Sequence, residues 1–216
     1  GDKSIAHRAA LLSILAKSPL TVRNWPENDD CRRSLEAAQL LGVTITGDGN
    51  QLILTPPGSP TIATDTIIDC GNSGTTARLL AGLLSGSQVS AILSGDASLS
   101  LRPMKRIVDP LTAMGAALYA TDGHMPIRIA GTRLLPFEYR LQVASAQVKS
   151  ALLLAGLASH CSVTVREDHI TRDHTEIMVA VLGDGIRAGI GHFPEGQRED
   201  LPFHRNWPAL FKENLE

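Results

Sequence analysis

Apolar residues in this chain follow two rhythms, nearly continuous helical runs and short extended segments, and the order of the two repeats along the sequence. From Ser4 to about Pro57 the pattern predicts a helix over residues 5–16, a strand over 20–24, a second helix over 29–41, and paired strands over 43–46 and 51–55. The turn Gly47-Asp48-Gly49-Asn50 between those strands is built from residues that tolerate positive φ. An extended segment over 66–69 then leads into the same order again: helix 75–84, strand 89–94, helix 103–114, and strands 116–120 and 125–130 around Thr121-Asp122-Gly123-His124. A third round begins at Ser145, with helix 146–157, strand 162–167 and helix 171–182.

Anchor positions agree between the rounds. Leu11, Leu79 and Leu153 fall in the first helix of each, while Gly42, Gly115 and Gly183 stop the second. A unit of about 70 residues made of helix, strand, helix and hairpin leaves one apolar face uncovered, so the units must pack their helices against each other. The first helices, with their runs over 9–14, 78–83 and 150–157, are apolar almost all round, as buried helices are. The expected architecture is therefore α/β (α+β): three pseudo-symmetric βαβαββ-like units, about 1–57, 58–131 and 132–190, with helices inside and small sheets outside. Beyond Gly183 the pattern fails. A hairpin should close the third unit, but Gly185-Ile186-Arg187-Ala188-Gly189-Ile190-Gly191-His192 is glycine-rich, and the polar stretch 191–216 reads as a divergent tail, disordered or unrelated to the repeat.

Composition narrows the function. A chain of 216 residues with 43% hydrophobic content can bury a core, and a net charge of -2 gives no general attraction to nucleic acid or anionic membranes, so an anion site has to be local. No apolar run is long enough to span a bilayer. Cys31, Cys70 and Cys161 lack the spacing of a metal site or a disulfide framework and read as reduced core residues. The sequence opens inside a motif without an initiator Met or targeting segment, which points to missing upstream material; a cytoplasmic location is expected, with a plastid one left open.

The chemistry collects at helix starts. The segment Asp69-Cys70-Gly71-Asn72-Ser73-Gly74-Thr75-Thr76 passes from strand through a glycine-bounded turn into a helix, which leaves backbone N–H groups and the helix dipole facing one spot. In Lys3-Ser4-Ile5-Ala6-His7-Arg8, Ser4 and Arg8 share a face at i and i+4 with Lys3 adjacent, while His7 reads as a structural hydrogen-bonding residue. Ser145 can cap the third first-helix, with Gln147 able to reach hydroxyls. Arg102, directly before a helix-initiating Pro103, is a fork suited to carboxylate or phosphate, and Thr171-Arg172-Asp173-His174 opens the last helix. If the repeat symmetry gathers these ends, Lys3, Arg8 and Arg102 converge, and clustered cations repel unless an anion joins them. A small, multiply anionic ligand is the expected occupant. A dinucleotide is a poor candidate, because Gly71-Asn72-Ser73-Gly74 lacks the G-x-G-x-x-G spacing.

Five motifs carry a resemblance: Gly1-Asp2-Lys3-Ser4-Ile5-Ala6-His7-Arg8, Gly71-Asn72-Ser73-Gly74-Thr75, Leu101-Arg102-Pro103-Met104, Ser145-Ala146-Gln147-Val148-Lys149-Ser150 and Arg172-Asp173-His174-Thr175-Glu176. In this order they resemble the 5-enolpyruvylshikimate-3-phosphate synthases, or 3-phosphoshikimate 1-carboxyvinyltransferases, more than the related UDP-N-acetylglucosamine enolpyruvyl transferases. The resemblance implies one of the two domains that close on shikimate 3-phosphate and phosphoenolpyruvate to transfer the enolpyruvyl group to the 5-hydroxyl and release phosphate, in aromatic amino acid biosynthesis.

By that resemblance Ser4 and Arg8 bind the ring substituents and carboxylate of shikimate 3-phosphate, and Ser145, the Ala146 backbone, Gln147 and Thr171 bind its phosphate and hydroxyls. His174 stands near the ring. Lys3, Gly74, Arg102 and Gln147 face phosphoenolpyruvate; Lys3 serves both substrates and supports catalysis, and Gly74 leaves room for phosphoenolpyruvate and, by implication, for glyphosate. Neither a cofactor nor a metal is implied. Ala6 departs from a frequent Ser, and Ser100 and Leu101 replace polar or charged residues before Arg102. The acidic proton-transfer groups that the family carries on its other domain have no counterpart here, so the isolated chain is expected to be inactive or nearly so. The alternative is a non-catalytic remnant that serves as an anion-binding or interaction module.

Overall fold

The computed structural model describes residues 1–182; the expected helix stop at Gly183 and the expected tail 191–216 lie outside them. The first unit comprises α1 (Lys3–Leu12), β1 (Leu20–Arg23), α2 (Asp29–Leu40), β2 (Thr44–Asp48) and β3 (Gln51–Thr55). The second comprises β4 (Thr66–Asp69), α3 (Gly74–Gly86), β5 (Ala91–Ser94), the short α4 (Ala97–Ser100), α5 (Lys105–Ala113), β6 (Ala117–Ala120) and β7 (Ile127–Ala130). The third comprises β8 (Phe137–Arg140), α6 (Ala146–Ser159), β9 (Val163–Arg166) and α7 (His174–Leu182).

Each unit has its own sheet. In the second unit β4 runs parallel to β5, and β5 pairs antiparallel with β7, which pairs with β6, so the order is β4-β5-β7-β6 and the unit is βαβαββ apart from the added α4. The first unit shows the matching β1-β3-β2, and the third the matching parallel pair β8-β9. Strands alternate as half-buried strands do: in β3, Leu52 and Leu54 point to the core while Gln51 and Thr55 face solvent. No described helix is long and apolar enough to cross a membrane.

The first helices of the units, α1, α3 and α6, form the core. Almost every residue of α3 is buried, including Leu79, Leu80, Leu83 and Leu84. Its approach to α6 is set by absent side chains: a Cβ at Gly82 would lie 2.1 Å from the Ala151 carbonyl oxygen, and one at Gly86 the same distance from that of Ala155. Two glycines one turn apart therefore let the backbones meet where a side chain would hold them off.

Helix starts are capped by the polar residues that precede the apolar runs. Asp2, Asn28, Ser73, Asp96 and Ser145 each accept from the backbone N–H three residues on. At the opposite end Gly42 and Gly115 both take φ +99°, which only glycine adopts freely. Cys31 and Cys70 are fully buried and Cys161 half-buried; all three are free thiols.

Several boundaries differ from the pattern. Leu11 and Leu79 are fully buried but Leu153 is only half so, the third unit burying Leu152 and Leu154 in its place. The hairpin loop tightens to Gly49-Asn50, since Asp48 still pairs with Gln51. Pro103 does not open a helix: α4 ends at Ser100, Arg102 lies in the connection, and α5 begins at Lys105 behind Met104. Thr171 likewise precedes its helix, because the Glu167 carboxylate takes both its backbone N–H (3.2 Å) and its hydroxyl (2.6 Å), a local alternative to helical bonding.

Candidate functional site

Side-chain hydrogen bonds tie the starts of α1, α3 and α6 into one cluster. Between α1 and α3 the link is a buried chain of polar groups: His7 Nδ1 lies 2.8 Å from Ser34 Oγ, Ser34 Oγ 2.8 Å from Thr76 Oγ1, and Thr76 Oγ1 2.7 Å from Ser73 Oγ, the cap of α3. Burial of the imidazole pushes His7 down to about 4, against the pull of Asp30, so it stands neutral at physiological pH. That is a structural role, as the sequence suggests.

Between α3 and α6 the link is Gln147. Its Oε1 accepts from Arg78 Nη1 at 2.8 Å and its Nε2 donates to Thr75 Oγ1 at 3.0 Å. Arg102 reaches the same place from the far side of the α3 turn: its Nη2 donates to Asn72 Oδ1, and its Nη1 would stand 3.3 Å from a Cβ on Gly74. Asn72 is in turn held by Asp96, to which its amide nitrogen donates at 2.9 Å.

Between α1 and the third unit the link is Arg8, 4% exposed. Its Nε donates to Thr175 Oγ1 at 2.7 Å, its Nη2 to Ser150 Oγ at 2.8 Å and its Nη1 to the Ser4 carbonyl at 2.9 Å. Burial pushes this guanidinium down to about 10, with Glu176 opposing the shift and Arg172 adding to it. Arg172 Nη1 donates to Ser4 Oγ at 3.4 Å, and Lys3 Nζ stands 3.6 Å from Asp30 with most of its side chain in solvent. Burial, and then the charge of Arg8, hold the His174 imidazole below the usual histidine range.

Under this layer Lys149 is 5% exposed and pairs with Glu167 at 2.9 Å and Glu176 at 2.8 Å. Burial raises the Glu167 carboxyl, but the Thr171 hydroxyl and the Lys149 ammonium outweigh it and leave the carboxyl below its ordinary value. The Thr171 hydroxyl proton is thereby spent on Glu167, so the hydroxyl oxygen can accept from a ligand and its N–H is also engaged.

Of the residues singled out from the sequence, Lys3, Ser4 and Arg8 lie at the start of α1, Gly74 and Arg102 at that of α3, and Ser145, Ala146 and Gln147 at that of α6, while Thr171 and His174 lie at the start of α7, which Arg8 ties to α1 through Thr175. Arg8 differs in kind from the rest, being built into the protein on three sides. The arrangement offers cations, capped helix N-termini and hydroxyls to an anion. A hollow of about 370 Å³ borders it, lined by Asp29, Asp30, Arg33, Asp69, Asn72 and Asp96, and its carboxylates repel an anion. Sequence reasoning passed over Arg78 and Lys149. Each is a charge inside an otherwise apolar helix, a signal that periodicity alone does not weigh.

The family model described as EPSP synthase (3-phosphoshikimate 1-carboxyvinyltransferase) matches residues 1–192. The 3-phosphoshikimate 1-carboxyvinyltransferase of Anaeromyxobacter sp. (strain Fw109-5) is 43% identical over 219 residues, covering 98% of this chain and 51% of the relative. That of Oceanobacillus iheyensis is 45% identical over 195 residues, covering 89% of this chain and 45% of the relative. Among solved structures, EPSP synthase from Acinetobacter baumannii superposes with a TM-score of 0.77 at 39% identity, over 83% of this chain and 42% of that one. The enolpyruvyl transferase NikO from Streptomyces tendae, with a TM-score of 0.55 at 17% identity over 82% of this chain and 42% of that one, shares the fold. The chain spans about half the length of the curated relatives it matches.

Proposed function

The chain belongs to the EPSP synthase family, and from that premise we propose that it forms the shikimate 3-phosphate-binding half of an enolpyruvyl transferase. The complete enzyme moves the enolpyruvyl group of phosphoenolpyruvate to the 5-hydroxyl of shikimate 3-phosphate. The C–O bond to the acceptor forms, the C–O bond to phosphate breaks, and inorganic phosphate leaves. The observation that carries the reading is the joining of the α1, α3 and α6 starts through Arg8, Gln147 and the His7–Ser34–Thr76 chain, with Lys3, Arg78, Arg102 and Arg172 set around them.

In this reading residues 1–190 make up the binding domain. Ser145, the Ala146 backbone and Gln147 take the phosphate and hydroxyls of shikimate 3-phosphate, Thr171 accepts from a hydroxyl, and His174 borders the ring. Ser4 takes a ring substituent, and Arg8 assists the carboxylate through the N–H groups its internal bonds leave over. Lys3, Gly74, Arg102 and Gln147 meet phosphoenolpyruvate, with Lys3 able to leave its exposed pairing with Asp30 for a bound anion and to neutralise developing charge on the departing phosphate. Proton transfer and closure fall to a second domain, without which the substrates are neither aligned nor shielded from water. A cytoplasmic location accompanies this reading, since both substrates are small water-soluble phosphates.

Titration of the ¹⁵N-labelled chain with shikimate 3-phosphate tests it. Shifts at Lys3, Arg8 and Ser145 with millimolar dissociation are expected, along with negligible turnover until a separately made second domain is added. Absence of perturbation at millimolar ligand would overturn the binding assignment, and full turnover by the chain alone would overturn the division of labour.

A further inference from the structure

Gly74 opens α3 in space already claimed by a protein side chain. A Cβ built on it would lie 2.7 Å from Nη1 of Arg78, closer than its 3.3 Å distance from Nη1 of Arg102. The same Nη1 of Arg78 is the donor to Gln147 Oε1 at 2.8 Å. Arg78 is 7% exposed, its Nε has no hydrogen-bond partner among the described residues, and the charges bearing on it are the cations Arg106 and Arg102, which add to burial in lowering its pKa. Holding a guanidinium there, in company with other guanidinium groups, costs stability and calls for a return.

That return is the orientation of Gln147. Arginine has no acceptor, so the oxygen of the amide has to face Arg78, and the nitrogen then faces Thr75 Oγ1, which can accept. One Nε2 hydrogen is bound to Thr75 and the other is left over. With the amide reversed, its nitrogen would set donor against donor at Arg78, whereas the Thr75 hydroxyl can turn and donate to the oxygen. Arg78 thus fixes which end of Gln147 a ligand meets, and the Thr75 hydroxyl follows.

We infer that Arg78 is a positioning residue that holds Gln147 with an amide hydrogen ready for an anionic oxygen, and that position 74 is glycine because a side chain there displaces Arg78 and frees Gln147, apart from any collision with ligand. The inference rests on the proposed phosphoenolpyruvate side of the site, but its first test needs no ligand. In the ligand-free ¹⁵N-labelled chain, Gly74→Ala and Arg78→Lys should each move the side-chain amide resonances of Gln147 in the same direction, because each breaks the same bond.

The second test is a double-mutant cycle read by phosphoenolpyruvate titration with shikimate 3-phosphate present. Gly74→Ala should weaken binding about tenfold in the wild-type background and less than about twofold in Arg78→Lys, whose slimmer side chain leaves no Nη1 to displace. A Gln147 amide unmoved by Gly74→Ala, or equal losses in both backgrounds, would overturn the inference. Should Arg78→Lys fail to fold, the ligand-free Gly74→Ala spectrum decides alone. Should the wild-type chain bind no phosphoenolpyruvate, the assignment of Lys3, Gly74, Arg102 and Gln147 to that substrate falls, while the ligand-free spectra still decide for or against Arg78.

Discussion

Arg8 and Thr175 stand 167 positions apart in the chain, yet the Nε–H of Arg8 donates to the Thr175 hydroxyl at 2.7 Å. The same guanidinium holds Ser150 and the Ser4 carbonyl, so one side chain joins α1 to α6 and α7. Its removal takes a shared donor from two buried hydroxyls, Thr175 and Ser150, and leaves them the 2.7 Å bond they make to each other. Arg8→Ala should lower stability by about 3 kcal/mol, and Arg8→Lys should restore little, because an ammonium cannot present the planar fork that three divergent acceptors require. Urea denaturation of the variants checks both outcomes.

Stability should fall with acid before the carboxylates titrate. His7 takes up its proton near 6.5 when unfolded and at about 4 when folded, so between those values the unfolded chain binds more protons and gains on the folded one. Its contribution is fully present above pH 6.5, declines as the pH falls, and is gone below about 4, a loss of about 3 kcal/mol at 1.36 kcal/mol per unit. Burial lowers His174 as well, which adds loss of the same sign. His7→Asn, which removes one titrating group, should flatten the pH dependence of the urea midpoint between pH 6.5 and 5, and an unchanged slope would contradict the assignment.

Lys149 neutralises two carboxylates at once, Glu167 and Glu176. Lys149→Ala should cost about 3–5 kcal/mol, as breaking a buried ion pair from one side does, and should raise the Glu167 carboxyl toward and past its ordinary value. Carboxyl ¹³C titration of Glu167 in a Lys149→Met variant measures the rise. Because Glu167 also holds Thr171, chemical shifts of the Thr171 amide should follow the same titration.

The seam between α3 and α6 should tolerate no added carbon. Gly82→Ala places a methyl 2.1 Å from the Ala151 carbonyl oxygen, and since backbone cannot step aside as a side chain can, the helices must separate. A loss of about 2–3 kcal/mol is expected, the range of overpacked cores, despite alanine's better helix propensity. Gly115→Ala is a useful control: its loss comes from the positive φ of +99°, since nothing lies within 4 Å of its Cβ. Thermal melts measure both losses, and an Ala151→Gly change should rescue neither, since the added methyl at 82 meets the backbone of Ala151 and the one at 115 meets nothing.

Periodicity made the elements legible where burial is one-sided or complete. Helices α1, α2, α3 and α6 and strands β1, β3 and β4 fall within a few residues of the positions that apolar spacing predicts, and glycines at 42 and 115 stop their helices as expected. Strand β8 escaped notice because Phe137 and Tyr139 are only half-buried while Glu138 and Arg140 face solvent in ion pairs, so the stretch reads as a loop until β9 supplies its parallel partner. The short α4 and the late start of α5 follow from the Asp96 cap and the Arg102–Met104 connection, both of them local choices that a helical average blurs. In the site, hydroxyls and cations at helix starts were visible as residue types. Arg78 and Lys149 were not, since their roles arise from partners such as Gln147 and Glu167 that only the folded chain brings within reach.

The bonds that join the helix starts have a kinetic side. His7 reaches Thr76 across 69 positions, Gln147 reaches Thr75 across 72, and Arg8 reaches Ser150 across 142, so none of them can form until distant stretches of chain have already met. Such contacts demand loop closure ahead of any reward and belong to the late, slow stages of assembly. Native-state hydrogen exchange should find the first turns of α1, α3 and α6 opening together as one cooperative unit, because loosening any of them removes partners from the other two.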